Sequence, residues 1–311
     1  MNNYTHSFKE LLTGTQSFRF EEAALGLFRY QAAHNPVYRQ YLQLLGKDPA
    51  AVFSLEQIPF LPIEFFKTQQ VKTGDFEPEV IFKSSGTTLQ QRSCHFVADN
   101  DFYLQVASQI FAGFYGPLTD YVFLALLPSY LEQGQSSLVA MVAHFVKQSG
   151  QQEPGFFLGR LAELKNAIRK AQKTGKKVML FGVTYALLDL AETGGDTDLS
   201  EVIIMETGGM KGRRKEMIRE ELHGILTRAF NVPAIHSEYG MTELLSQAYS
   251  QGNGIFRAPK TMRILLRDLN DPFEINPNLR SGGINVIDLA NIHSCAFIET
   301  KDIGKLHADG S

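Results

Sequence analysis

Lys83-Ser84-Ser85-Gly86-Thr87-Thr88 sets four hydroxyls around one glycine, directly after the apolar run Val80-Ile81-Phe82. That composition suits a polyphosphate. Gly86 can take φ > 0 and let the backbone approach closely. Successive N–H groups then form an anion-binding concavity, the hydroxyls donate further bonds, and Lys83 or Arg92 adds charge. The same residue types also build ordinary turns, so this stretch alone leaves both readings open. It has neither the G-x-x-x-x-G-K-[ST] of a P-loop nor the G-x-G-x-x-G of a dinucleotide site.

Three further groups have chemical potential. Tyr239-Gly240-Met241-Thr242-Glu243 offers an aromatic face for stacking, a glycine for close approach, a hydroxyl for a phosphate and a carboxylate. Glu243 suits Mg²⁺, which takes one or two protein carboxylates and keeps phosphate oxygens and waters as its other ligands. A helix N-terminus capped by Thr242 is the structural alternative. Thr207-Gly208-Gly209 would let a flat base lie against bare backbone, or simply make a tight turn. Lys211, Arg213, Arg214 and Lys215 follow it, as phosphate attractors or as a solvated helix start. Asp302 is a lone carboxylate before Gly304 that could accept from ribose hydroxyls or sit in a surface turn. Other schemes find less support. The eight histidines show no H-E-x-x-H or paired ligand spacing, and G-x-S-x-G is absent. Cys94, six residues beyond Thr88, reads as a reactive thiol or, more commonly for a free cysteine, a buried one, and Cys295 reads as buried.

The elements that must position these groups alternate in type. Helices are expected over Phe20–Tyr30, from Pro36 to Gly46, and over Asp101–Phe114, Ser136–Lys147, Gly159–Thr174 and Lys215–Phe230. Short apolar strands are expected at Tyr121–Leu127, Lys177–Gly182, Glu201–Glu206 and Pro233–His236. The proline-punctuated Ile58–Lys67 reads as an irregular connector. Strands alternating with helices imply an α/β fold with a mainly parallel sheet, whose ligands bind at the carboxyl ends of the strands. The glycine and hydroxyl clusters fall at those ends. From about Gln251 the elements shorten to Met262–Leu266, Gly283–Leu289 and Ala296–Thr300, a β-rich subdomain with a distorted barrel as its expected form.

Composition narrows the function classes. At 311 residues the chain can bury a large core, and 44% hydrophobic with 20% charged residues is an ordinary globular balance. A net charge of −3 without a long run of one sign gives no support for nucleic acid as a partner. Two cysteines are too few for a disulfide framework. The first residues lack a secretory pattern and no apolar run reaches a membrane-span length, so a cytoplasmic protein without a membrane span is expected.

Taken in order, Ser84-Ser85-Gly86-Thr87-Thr88, Gly208-Gly209, Tyr239-Gly240-Met241-Thr242-Glu243 and Asp302 resemble the adenylate-forming superfamily of acyl-CoA synthetases, adenylation domains and luciferases. Within it, Ile58–Lys67 and Glu206-Thr207-Gly208-Gly209-Met210-Lys211-Gly212-Arg213 look most like the acyl-protein synthetases of bacterial luminescence, near the phenylacetate–CoA ligases. The resemblance implies the large N-terminal domain of such an enzyme, with residues 1–250 as helical lead-in and α/β nucleotide-binding core and 251–311 as the β-rich part, ending near the hinge. It implies that Ser84, Ser85, Gly86, Thr87 and Thr88 embrace the ATP β- and γ-phosphates. Gly208 and Gly209 would flank adenine, with Tyr239 stacking on it; Gly240 and Met241 belong to the same nucleotide-binding motif. Thr242 would touch the α-phosphate, Glu243 would bind Mg²⁺ and Asp302 would hold the ribose. The implied reaction activates a carboxylic acid, a fatty acid among the candidates, to an acyl-adenylate and passes the acyl group to a protein cysteine or CoA. Two departures stand out. Leu89-Gln90-Gln91-Arg92 replaces the usual glycine and lysine, leaving Arg92 as the candidate cation, and the small C-terminal domain is expected to be absent. A degenerate module that binds nucleotide or acyl group without turnover is the alternative. Homo-oligomerisation is left open.

Overall fold

The computed structural model describes residues 3–85, 91–128, 135–152, 154–193, 198–209, 214–215, 217–276, 278–307 and 311. Three of the expected phosphate-loop residues, Gly86, Thr87 and Thr88, lie outside them, as do Met210, Lys211, Gly212 and Arg213. Backbone contacts divide the chain into two units. One comprises Met1–Gln109, Gly240–Gln247 and Ala258–Ser311; the other comprises Ile110–Tyr239 and Ala248–Arg257.

The first unit begins with helices α1 (Asn3–Thr13), α2 (Phe20–His34) and α3 (Pro36–Leu44). Asn35 separates the last two: extended at φ −104°, its side chain accepts from the Tyr38 N–H, with Pro36 supplying the fixed φ of a first helical residue. Ile58–Lys67 is more regular than expected. Leu61–Pro62 forms a short strand, β1, and Phe65–Thr68 a single turn of helix, α4. Pro62 is tolerated because β1 is an edge strand, where a missing N–H leaves no ladder bond unmade. β2 (Val80–Lys83) and β3 (Cys94–Val97) pair antiparallel, Val80 opposite Val97 and Lys83 opposite Cys94. The hydroxyl stretch therefore leaves a hairpin strand.

In the second unit, strands β4 (Tyr121–Leu126), β5 (Lys177–Val183), β6 (Val202–Thr207) and β7 (His236–Tyr239) run parallel, and β8 (Ala248–Ser250) and β9 (Phe256–Arg257) add antiparallel at the far edge. Helices α6 (Ser137–Gln148), α7 (Leu161–Ala171), α8 (Thr184–Thr193) and α9 (Arg219–Phe230) connect them; α5 (Asn100–Tyr115) precedes β4. Every residue of β4 is buried, as parallel strands covered on both faces require. Phe111, Tyr121, Phe123, Phe145 and Phe181 cluster there with ring centroids 5.0–6.5 Å apart. Burying each ring contributes roughly 1.5–3 kcal/mol.

Two expected boundaries move. β7 occupies His236–Tyr239 rather than Pro233–His236, since Pro233 has no N–H for a ladder and the polar Ser237 and Glu238 find partners inside. α9 starts at Arg219 rather than Lys215. Glu220 and Glu221 then sit in the first turn, where the helix dipole favours acidic groups over basic ones.

The β-rich part of the first unit is an open sheet, not a barrel. Its order is β1-β12-β11-β10, with β10 at Met262–Arg267, β11 at Ser281–Asp288 and β12 at Phe297–Lys305. A two-residue β1 offers too short a ladder for β10 to close against. Gln31, fully buried on α2, ties this sheet to the N-terminal helices. Its Nε2 donates to the Asn291 carbonyl at 2.8 Å, and its Oε1 accepts from the Ala296 N–H at 2.9 Å. Among the described residues, no helix is long and apolar enough to cross a membrane.

Candidate functional site

Each unit carries part of the expected site, and the chain passes from one to the other at the Tyr239–Gly240 bond. In the first unit, Met241–Leu244 is a turn closed by a bond from the Leu244 N–H to the Met241 carbonyl, 3.1 Å, so Thr242 caps no helix. Thr242 and Met241 are half-buried and Gly240 is exposed. Two buried side chains hold this turn by its backbone. The His95 Nδ1 lies 2.8 Å from the Thr242 carbonyl, which can only accept, so Nδ1 carries the proton. Burial lowers the His95 pKa to about 4, against the raising effect of that bond. The Asn291 Nδ2 donates to the Glu243 carbonyl at 2.8 Å.

Glu243 itself is 5% exposed. Burial raises its pKa; a hydrogen bond from Ser93, its own backbone N–H and the charge of Lys67 oppose the rise, and the charge of Asp302 adds to it. A carboxylate so withdrawn from water, facing another acidic group, suits a cation that arrives on a phosphate. Among the described residues no group of three or more His, Cys, Asp or Glu could hold a metal by itself. Mg²⁺ needs only one or two carboxylates when phosphate supplies the remainder, so Glu243 fits that ion.

Ser84 is committed within its hairpin: its N–H donates to the Ser93 carbonyl at 3.1 Å and its Oγ accepts from the Ser93 N–H at 3.0 Å. Ser85 and Arg92 are exposed. Asp302 is exposed on β12, a strand rather than the surface turn considered from the sequence.

In the second unit, Gly208 leaves β6 at φ +71°, a conformation few side chains tolerate. Among the described residues, a Cβ built on Gly209 would meet no atom within 4 Å. The described residues thus leave that backbone face open, as a flat base would need. The half-buried Tyr239 packs edge-on against Phe256 at 6.0 Å, and Arg219 lies over the Phe256 ring at 4.9 Å. Arg214 is engaged elsewhere: it pairs with Glu192 at 2.6 and 2.8 Å and with Asp189, both on α8. Its charge is spent on these two acids, not offered to phosphate.

Sequence reasoning missed a polar layer at the carboxyl ends of β5, β6 and β7. Thr184 donates to Glu206 at 2.7 Å, and Thr207 donates to Glu238 at 2.5 Å. In the sequence, Glu206 ends one apolar run and Glu238 follows another, so each looks like the start of a loop. Ser237, His223 and Glu206 have the composition of a nucleophile triad but not its geometry. His223 Nε2 faces both partners, at 3.4 and 4.0 Å, and Ser237 is fully buried.

Burial raises the Glu238 pKa to about 7 from 4.5; the Thr207 bond opposes the rise and the Glu206 charge adds to it. Between pH 4.5 and about 7 the unfolded chain sheds this proton while the native protein holds it, so stability falls as pH rises through that window. Glu238→Gln is expected to gain up to about 3 kcal/mol over the unaltered chain at pH 8, and to converge with it near pH 5. Urea unfolding across that range checks this; a pH-independent difference would contradict it.

No protein-family model matches the chain, and no curated protein matches it significantly. Solved structures do. A 2-hydroxyisobutyryl-CoA ligase, in complex with 2-HIB-AMP and CoA in the thioesterification state, is similar at a TM-score of 0.64 and 16% identity over 91% of this chain and 63% of that one. The ATP-bound RpMatB-BxBclM chimera is similar at 0.54 and 16% over 76% and 48%. The O-succinylbenzoate coenzyme A synthetase MenE from Bacillus subtilis, in complex with AMP, is similar at 0.50 and 17% over 74% and 47%. The chain spans between 47% and 63% of the length of these three. The likeness is one of fold: the α/β architecture with its parallel sheet is shared with part of each of these chains.

Proposed function

We propose that this chain activates a carboxylic acid with ATP as an adenylate-forming ligase. The observation that carries the reading is the buried Glu243 carboxylate, within electrostatic influence of Lys67 and Asp302 on a turn fixed by His95 and Asn291, in a chain with the fold of such ligases. Glu243 is assigned to Mg²⁺ and Thr242 to the α-phosphate. The phosphates fall to Ser84, Ser85, Gly86, Thr87 and Thr88 with Arg92, the base to Gly208, Gly209 and Tyr239, and the ribose to Asp302. Gly240 and Met241 complete the nucleotide-binding motif.

A carboxylate oxygen bonds to the α-phosphorus, the α–β anhydride bond breaks and pyrophosphate leaves. Two anions must meet for this, and oriented N–H groups with a cation offset their repulsion. Mg²⁺, when bound, supplies charge to the phosphate oxygens. The acyl-adenylate is then open to a thiol: sulfur attacks the acyl carbon, AMP departs and the thiol proton is released. The solved neighbours include one holding an acyl-AMP and CoA, which supports CoA as one acceptor class; a protein cysteine, as in the acyl-protein synthetases, is the other. Placement nearest the luminescence enzymes and phenylacetate–CoA ligases, a cytoplasmic location and a fatty acid substrate belong to this reading.

Exchange of labelled pyrophosphate into ATP, run across a panel of short, aromatic and long-chain acids, tests it. Acid-dependent exchange is expected. ATP binding without exchange for any acid would favour a binding module, and absence of both would overturn the reading.

A further inference from the structure

Glu206 is charged and 3% exposed, yet no binding or chemical role above uses it. Burying a carboxylate costs several kcal/mol before any partner is found, and an apolar side chain would fill the same place more cheaply. Partners come from three other elements. The Thr184 hydroxyl, at the start of α8, lies 2.7 Å from Oε1; His223 Nε2, on α9, lies 4.0 Å from Oε2; Ser237 stands opposite Glu206 in the β6–β7 ladder and also hydrogen-bonds to it. Burial would raise the Glu206 pKa, but these bonds and the charge of Arg219 outweigh it and hold the carboxyl below its usual range. The group is an anion fixed in place.

Its reach extends to the turn that follows β6. The Thr184 oxygen is also 3.1 Å from the Gly208 carbonyl. With one proton to give, the hydroxyl acts as a three-centre donor shared by carboxylate and carbonyl. Gly208 is where the chain turns at φ +71°, and Gly209 is where its backbone is open. Glu206 and Thr184 therefore control the orientation of one peptide group two residues beyond a strand end.

We propose that Glu206 and Thr184 are positioning residues for a purine nucleotide, setting the Gly208 turn so that its bare backbone meets the base at the required angle. The proposal rests on the ATP-dependent reading above and adds to it the device that orients the base.

The test titrates ATP into the unaltered protein and into Thr184→Val, Thr184→Ser and Glu206→Gln, by calorimetry, and repeats the series by pyrophosphate exchange. Thr184→Val is expected to weaken ATP binding about tenfold, the scale of one lost hydrogen bond to a charged group. In exchange the KM for ATP should rise with kcat at saturation kept. Thr184→Ser should recover binding to within about twofold. A purely structural role would lower both variants' folded fraction and leave KM alone. Should Thr184→Val not fold, Glu206→Gln bears the same comparison, since it keeps an acceptor for Thr184 and removes the charge. Binding by either folded variant as tight as the unaltered protein's overturns the proposal, as does a loss of kcat with KM unchanged. No ATP binding by the unaltered protein overturns instead the reading beneath it.

Discussion

Glu243→Gln is expected to lower Mg²⁺-dependent exchange of pyrophosphate into ATP by about a hundredfold or more, the scale of removing one preorganised electrostatic contact from developing charge. The substitution keeps the shape of a side chain that is 5% exposed and leaves the Asn291 bond to the residue 243 carbonyl in place. What it removes is the negative charge. Loss of exchange with unfolding unchanged would tie the defect to the cation rather than to the fold. Thermal unfolding of both proteins supplies that control. Exchange within about threefold of the unaltered protein would take Glu243 out of the metal role.

Asp288→Ala should be among the most damaging substitutions to stability. Asp288 closes β11, is fully buried, and accepts from the Leu245 and Ser246 N–H groups at 2.8 and 2.9 Å, from the Ser246 hydroxyl at 2.6 Å and from the Ala290 N–H at 3.0 Å. Alanine would leave three buried backbone donors without an acceptor; the Ser246 hydroxyl keeps Thr261 at 2.8 Å. At 1–3 kcal/mol for each unsatisfied group, less what water recovers, the expected loss is about 3–5 kcal/mol. The urea midpoint, read with the slope held common, measures it. Asp288→Asn, which keeps one acceptor oxygen, should lose less. A loss below about 1 kcal/mol for alanine would mean that the segment finds other partners.

These two carboxylates mark what could and could not be read from the chain. Glu243 stands in a short run of unusual composition, so it stood out as a candidate. Asp288 sits in Asn285-Val286-Ile287-Asp288-Leu289, where nothing shows that an acid caps a turn more than forty residues away in sequence. Glu206 and Glu238 were hidden for the same reason: a polar residue ending an apolar strand looks like the start of a loop. Alternation of strand and helix made the parallel sheet legible, since fully buried strands leave continuous apolar runs. Pro62 misled in the other direction. Proline argues against a strand unless the strand is known to lie at an edge, and edge position is a tertiary fact. Likewise the basic run after Gly209 gave no sign that Arg214 would be taken by acids on α8.

The partnership of Gln31 with residues 291 and 296 sets a timetable for the chain as it leaves the ribosome. All six strands of the second unit's sheet lie between residues 121 and 257. The other unit must keep its opening helices waiting until some two hundred and sixty residues more have been made. Throughout that interval Phe28 and Tyr38, both fully covered at the end, have no Phe297 on β12 to pack against. Such long-lived exposure of apolar surface is what holding chaperones recognise. Nascent chains halted before residue 297 should therefore be more readily captured and cleaved than those halted beyond residue 305.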